Sequence, residues 1–177
     1  MKTLIVTPLQ KEFDLFWQSC LTRGIRTEAI KIGQLSAQLF SDLNIVLARG
    51  GHGKTQFGIQ TQYLLDHGAG FNLVVCLGAA GSLAAHLAIG DVVVATTTIE
   101  HDYHLKFARH PLPRFDGATE VISRWQRLPR PLNTFKVHFG PVASGDEDII
   151  DVGGGSELHA QTGALAVAWE GAGGARA

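Results

Sequence analysis

The apolar residues of the chain fall in short runs that are separated by turns of small or polar residues. The clearest case is Leu73–Leu77, which is followed by the turn Gly78–Ser82 and, after a Gly-Asp pair, by a second apolar run, Val92–Ala95. A continuous run of Val and Leu without period-two alternation is typical of a strand that is covered on both faces. We therefore predict a central, buried sheet between helices.

Similar patterns predict the other elements. Apolar runs bounded by turn residues indicate strands at Leu4–Val6, Thr27–Ile32, Leu35–Phe40, Ile45–Ala48, Thr134–Val142 and Ala164–Val167. Helical patterns occur at Lys11–Leu21 and Gln56–His67, and Gly171–Ala177 begins a helix of small residues. Ser123–Arg130 is either a short helix or a connection. We expect a hairpin about Gly33 and a flexible turn at Gly153–Gly155. With 21 glycines, several of them between apolar runs, the pattern favours an α/β fold.

Length and composition narrow the class of protein. A chain of 177 residues is long enough for one domain with a full core. Of its residues, 45% are hydrophobic and 18% are charged, and the net charge is −1. This composition argues against disorder, nucleic-acid binding and a polybasic membrane patch. No apolar run reaches membrane-spanning length, so we expect a cytoplasmic protein. Cys20, in a predicted helix, and Cys76, in a predicted buried strand, are expected to be reduced.

One stretch formally matches a phosphate-binding loop. Ala48–Thr55 reads AxxxxGKT between a predicted strand and a predicted helix. A nucleoside triphosphatase also needs an acidic residue at the end of another strand to hold magnesium, and Leu73–Leu77 leads into Gly-Ala-Ala instead. We therefore disfavour the nucleotide-hydrolysing interpretation.

Metal binding is also disfavoured. Ile99–His104 carries two histidines and two acids, but a strand would point neighbouring side chains to opposite faces. The acidic run Asp146–Asp148 could bind a metal, although such a run is more often the solvated start of a helix. We predict no metal site and no cofactor.

Two positions near predicted strand ends allow both a functional and a structural interpretation. The turn Gly78–Ser82 has no large side chains, so its backbone N–H groups could approach a ligand, or it could simply be a tight packing turn. Glu12 follows the first strand, where open α/β sheets place their chemistry, but a glutamate in a first helical turn also pairs with the helix dipole.

Taken together, five collinear segments resemble the purine nucleoside phosphorylase and nucleosidase superfamily, and within it the methylthioadenosine/S-adenosylhomocysteine nucleosidase branch. The segments are Thr7–Glu12, Arg49–Lys54 (RGGHGK), Gly78–Ser82 with Ile89–Val94, Ser144–Asp146 (SGD) and Val167–Gly171 (VAWEG). The resemblance covers the whole chain. It implies a single-domain, three-layer α/β/α sandwich with a central mixed twisted sheet.

The resemblance also implies roles for individual residues. The family's water-activating glutamate falls on Glu12, and the glutamate that binds the ribose hydroxyls falls on Glu170. The other substrate-binding positions fall on Ala79, Gly81, Asp148, Ile149 (a backbone contact to the base) and Trp169. The second glycine-rich turn places Arg49 and Gly51 near the anion or water site.

Several positions depart from the family pattern. Ala79 stands where nucleosidases commonly have a serine, and Asp148 stands where an aromatic side chain stacks on adenine. The early phosphate-binding Gly-Asp-Pro loop is absent at Thr7–Leu9, which favours water as the nucleophile. The chain reaches Ala177 before the strand that carries the family's purine-protonating aspartate. We therefore expect a longer polypeptide that continues into a further strand and helix.

The resulting expectation is hydrolysis of the N-glycosidic bond of a purine nucleoside or a methylthioadenosine-like substrate. Phosphorolysis and nucleoside binding without catalysis are the alternatives. The family also implies a homodimer in which the proline-rich loop Arg109–Gly117 lies near the neighbouring subunit's pocket, with Phe107, Pro113 and Phe115 as apolar contacts. A mobile surface loop is the other interpretation of this segment.

Overall fold

The computed structural model describes residues 2–108, 110–129 and 135–177. Arg109, Arg130 and Thr134, which belong to predicted segments, lie outside the described residues. The chain divides into two compact units, one of residues 1–79 with 173–177 and the other of residues 80–172.

The first unit contains a five-stranded mixed sheet and two long helices. Its elements are β1 (Lys2–Thr7), α1 (Gln10–Leu21), β2 (Glu28–Ile32), β3 (Leu35–Phe40), β4 (Ile45–Arg49), α2 (Lys54–His67) and β5 (Phe71–Cys76). The strand order is β2-β3-β4-β1-β5. The strands β4, β1 and β5 run parallel, whereas β2, β3 and β4 are joined antiparallel. The predicted hairpin about Gly33 is confirmed.

Side-chain alternation along β1 explains the layers of this unit. Leu4 and Val6 pack in one cluster with Phe57 of α2, whereas Ile5 packs in another with Phe13 of α1. Successive strand residues point to opposite faces, so β1 buries apolar side chains under a helix on each side. The first unit is therefore a helix–sheet–helix sandwich.

The second unit has a five-stranded mixed sheet of its own. Its elements are β6 (Gly81–Ser82), β7 (Val92–Glu100), β8 (Arg114–Asp116), α3 (Thr119–Arg127), β9 (Val137–Ser144), α4 (Val152–Thr162), β10 (Ala166–Ala168) and the start of α5 (Gly171–Arg176). The strand order is β6-β10-β9-β7-β8. The three inner strands are parallel, and each outer strand is antiparallel to its neighbour.

The α/β class with mixed sheets is confirmed, and several local predictions are wrong. The segment Arg109–Gly117 was predicted as a loop, but its residues Arg114–Asp116 form β8 and pair antiparallel with β7. Gly153–Gly155 is not a flexible turn, because α4 begins at Val152 and includes all three glycines. Asp151 precedes the helix and accepts a hydrogen bond from Gly154 N at 2.7 Å, a side-chain cap that favours the helical start. Cys76 is exposed rather than buried, because β5 is an outer strand in the order of its sheet.

The prediction of a single domain stays a prediction. None of the described helices is long and apolar enough to cross a membrane.

Candidate active site

Glu12 is held in a defined orientation near the carboxyl end of β1. It lies in the first turn of α1, and its Oε2 accepts the backbone N–H of Leu9 at 2.9 Å. Its Oε1 accepts the backbone N–H of Ala79 at 2.8 Å. The first contact is the side-chain half of a capping box, and it ties Glu12 to the helix start. Glu12 is half-buried, so part of this residue stays exposed to solvent.

The small-residue turn after β5 approaches this carboxylate closely. A Cβ added to Gly78 would lie 3.2 Å from Glu12 Oε1 and 3.1 Å from Cδ of Pro8, so Glu12 or Pro8 would have to shift by a few tenths of an ångström to admit a side chain. Ala79 then contributes its backbone N–H rather than its side chain. The absence of bulk in this turn therefore serves the contact with Glu12.

The RGGHGK turn follows β4 at the same sheet edge. In the parallel register Thr7 pairs with Arg49, and Gly50 N donates to Thr7 O at 2.8 Å. Gly51 has a φ of +85°, and His52 N donates to Gln56 Oε1 at 3.2 Å. The turn is thus tied to β1 and to the first residues of α2, with Arg49 exposed beside it.

The carboxyl ends of three parallel strands therefore meet in the first unit. Leu77 N donates to Val6 O at 2.9 Å, which aligns the exit of β5 with that of β1. Open parallel sheets bind ligands at this edge. Glu12, Ala79, Arg49 and Gly51 all belong to it.

In the second unit, Glu170 follows β10 and is 7% exposed. The segment around it is fixed by Ser144, a fully buried residue at the end of β9. Ser144 Oγ donates to the carbonyl of Trp169 at 2.7 Å and accepts the backbone N–H of Ala172 at 2.8 Å. Sequence reasoning did not select Ser144 as a site residue, although it opens the Ser-Gly-Asp segment.

Of the other predicted binding residues of this unit, three lie in or around β10 and one lies on the loop after β9. Gly81 pairs with Val167 of β10, and Ile149 packs on the cluster that contains Val167. Trp169 is the residue after β10. Asp148 lies on an exposed loop after β9, next to Ile149. The topology therefore groups Gly81, Ile149 and Trp169 about one short strand.

A further structural carboxylate was missed by sequence reasoning. Asp91 Oδ1 accepts the backbone N–H of Lys136 at 2.8 Å, and Oδ2 accepts that of Ala88 at 3.1 Å and lies 3.1 Å from Nε2 of His138. The hydrogen bond from Lys136, followed by that from Ala88, lowers the pKa of Asp91 from 3.8 to about 2. Asp91 thus joins the start of β7 to β9, and the Gly-Asp pair of the sequence was its only signal.

The histidine-rich segment does not continue as a strand. Because β7 ends at Glu100, the predicted strand alternation through His104 is wrong beyond that residue. His101 is buried, with Nδ1 3.7 Å from Glu147 Oε2, and Asp102 Oδ2 accepts the backbone N–H of Asp146 at 2.8 Å. Within residues 2–108, 110–129 and 135–177, no three metal-ligating side chains are grouped so that they could hold a metal ion.

Comparison with known proteins identifies the family. The sequence profile described as the Phosphorylase superfamily matches residues 2–175. The chain belongs to this superfamily.

Among curated relatives, a 5′-methylthioadenosine/S-adenosylhomocysteine nucleosidase of Mycobacterium bovis is 26% identical over 167 residues, covering 78% of this chain and 63% of the relative. The chain therefore spans less than two thirds of that relative's length.

Solved structures of the superfamily share the fold. The same type of nucleosidase from Neisseria meningitidis, in complex with methylthio-immucillin-A, has a TM-score of 0.81 and 28% identity, covering 99% of this chain and 79% of that chain. The enzyme from S. pneumoniae with a transition-state inhibitor has a TM-score of 0.81 and 23% identity, covering 99% and 78%. These similarities confirm the predicted nucleoside phosphorylase-like fold.

Proposed function

We propose that this protein hydrolyses the N-glycosidic bond of a purine nucleoside or of a 5′-methylthioadenosine-like substrate. The observation that carries the proposal is the geometry of Glu12, whose two carboxylate oxygens each accept a backbone N–H while part of the residue stays exposed to solvent. The similarity to 5′-methylthioadenosine/S-adenosylhomocysteine nucleosidases supports the substrate class.

In this proposal Glu12 is the general base. A water molecule donates a proton to the carboxylate as its oxygen bonds to the anomeric carbon of the sugar. The bond between that carbon and the purine nitrogen breaks, and the purine leaves with the bonding electron pair and takes up a proton from solvent. Glu12 then releases the proton that it accepted to solvent, so the protons balance. Because the two backbone N–H groups fix the carboxylate, little reorganisation is needed before water is deprotonated.

Glu170 has a separate role, the binding of the ribose hydroxyls. A carboxylate can accept two hydroxyl hydrogen bonds, and its negative charge stabilises the positive charge that develops on the sugar in an oxocarbenium-like transition state. The burial of Glu170 supports this role, because electrostatic interactions are stronger away from water.

Nucleoside binding without catalysis is the second candidate. Asp148 cannot stack on a purine, and Ala79 lacks the hydroxyl that nucleosidases commonly have there.

For assembly we propose a homodimer in the cytoplasm, in which the exposed side chain of Phe107, just before the proline-rich loop, contacts the partner. Light scattering at low protein concentration tests the dimer.

The test of the catalytic proposal compares Glu12→Gln with Asp14→Asn. Both changes remove one negative charge from α1, but Asp14 accepts its hydrogen bond from Gln10 on the same helix, at 2.9 Å, and not from the turn after β5. Release of free base is measured for a panel of purine nucleosides, with and without phosphate.

We expect phosphate-independent release that falls by about 100-fold or more in Glu12→Gln and stays within about twofold in Asp14→Asn. Full turnover in Glu12→Gln would remove Glu12 from the mechanism. Release that requires phosphate would replace hydrolysis by phosphorolysis. Saturable binding without release would favour the binding protein.

A further inference from the structure

Ser144 connects the end of β9 to both sides of Glu170. Its Oγ–H donates to the carbonyl of Trp169 at 2.7 Å, and the same oxygen accepts the N–H of Ala172 at 2.8 Å. Trp169 immediately precedes Glu170, and Ala172 follows it by two residues. One hydroxyl therefore brackets the two residues that lie between these backbone groups.

The neighbouring backbone leaves this segment little freedom. Ala168 pairs with Ser144 in the parallel register of β10 and β9, and Gly145 N donates to Ala168 O at 3.3 Å. A Cβ added to Gly171 would lie 3.3 Å from Thr98 Cγ2, so the turn after Glu170 is closely packed. The position of the Glu170 backbone is thus set by β9 as well as by β10.

Loss of the hydroxyl would leave two polar backbone groups without their present partner. Ser144 and Ala172 are fully buried, so water cannot replace the bond to the Ala172 N–H without a shift of the segment. A carboxylate that binds two neighbouring hydroxyls must be placed to within a fraction of an ångström. A small shift of the backbone would therefore weaken hydroxyl binding.

We infer that Ser144 is a positioning residue that places Glu170 for recognition of the ribose hydroxyls. This inference rests on the proposed role of Glu170. It predicts an effect that is specific for the hydroxyls, whereas a general loss of stability would affect every ligand alike.

Thr162 provides a matched control in the same unit. It is a buried hydroxyl residue whose Oγ1 donates to Leu158 O at 2.6 Å and accepts the N–H of Ala164 at 3.1 Å. It therefore joins two backbone groups as Ser144 does, but on α4 and the segment before β10. Thr162→Ala should reduce stability without changing the preference for hydroxyls.

The experiment measures Kd by calorimetry for adenosine and inosine, each against its 2′,3′-dideoxy analogue, with every variant made in a Glu12→Gln protein so that the ligands are not hydrolysed during the titration. We expect Ser144→Ala to weaken ribonucleoside binding about tenfold and to leave the dideoxy analogues within about twofold. In a Glu170→Gln background the same change should cost less than about twofold, because the positioned group is gone. If Ser144→Ala does not fold, Ser144→Cys keeps the volume with a weaker donor and should show the same selectivity.

The experiment distinguishes a failure of the proposed role of Glu170 from a failure of the positioning role of Ser144. If Glu170→Gln leaves the preference for ribonucleosides intact, or if the Glu12→Gln protein itself has no such preference or no binding, the proposed role of Glu170 fails. If Glu170→Gln removes the preference but Ser144→Ala weakens all four ligands equally, as a merely structural change would, the positioning role of Ser144 is overturned.

Discussion

The two units of the chain differ in the interactions that stabilise each of them internally. The largest fully buried apolar side chains among the described residues belong mainly to the first unit, namely Phe40, Phe57, Leu4, Leu47, Leu64, Val6 and Val46, whereas Ile99 belongs to the second. The main cluster of the second unit is built on small residues such as Ala143 and Ala164. The first unit therefore depends on apolar volume.

The second unit instead uses side chains that bind backbone groups. Ser144 holds the Glu170 segment, Asp151 caps α4, and Asp91 joins the start of β7 to β9. A hydrogen bond to a backbone group has a defined direction, whereas apolar packing tolerates small shifts. The comparison indicates that the second unit depends less on core volume and more on side chains that fix backbone positions, including the positions on both sides of Glu170.

The strongest test of this comparison is Phe57→Ala. Phe57 is fully buried in the cluster formed by α2 and the first sheet, so its loss should reduce the free energy of unfolding by about 3–5 kcal/mol. Leu158→Ala, the corresponding truncation on α4, should cost less, about 2–3 kcal/mol, because small residues surround it.

Both values come from urea unfolding, with Ile59→Ala as the control. Ile59 lies on α2 beside Phe57 but is 66% exposed, and its truncation should cost less than about 0.5 kcal/mol. A Leu158→Ala effect equal to that of Phe57→Ala would contradict the proposed difference between the units.

Local patterns were sufficient to predict most elements of the first unit. The hairpin about Gly33 was read correctly because both strands and the turn lie within a few residues, and Gly33 has the positive φ that the turn requires. The five collinear segments were also sufficient for the family and the fold class.

Contacts between distant residues could not be read in this way. Ala79 lies 67 residues from Glu12, and Ser144 lies 25 residues before Trp169, so no local pattern encodes either hydrogen bond. The error at Gly153–Gly155 has another cause. Glycine disfavours helices, but the cap supplied by Asp151 at the helix start and the packing of Leu158 of α4 in the core cluster together offset that preference.

Removal of this cap is the second test. Asp151→Ala should lower the free energy of unfolding by about 1 kcal/mol, because α4 loses its N-cap next to three consecutive glycines. Asp151→Ser retains a capping oxygen and should recover most of the loss. Asp148→Ala, a change on the preceding exposed loop, should have little effect in thermal unfolding. If Asp151→Ala unfolds with the same free energy as the wild type, the side-chain cap of α4 is not a main source of stability in this unit.

The smallest expected effect is the loss, at acidic pH, of the stabilisation that ionised Asp91 provides by accepting hydrogen bonds from Lys136 and Ala88. The backbone N–H of Lys136, with that of Ala88, lowers the pKa of Asp91 to about 2, below its value of about 3.8 in the unfolded chain. The ionised carboxylate therefore stabilises the folded state fully above about pH 4, and this contribution is lost as the pH falls through about 2.

Asp91→Asn should thus be less stable than the wild type near neutral pH, and the difference should shrink between about pH 4 and pH 2. Asp116→Asn removes an equal charge from exposed β8 of the same sheet and should show a smaller change over that range. Urea unfolding of the three proteins at several pH values measures the differences. If the wild type and Asp91→Asn differ by the same amount at pH 2 and pH 6, ionisation of Asp91 does not contribute to holding β7 and β9.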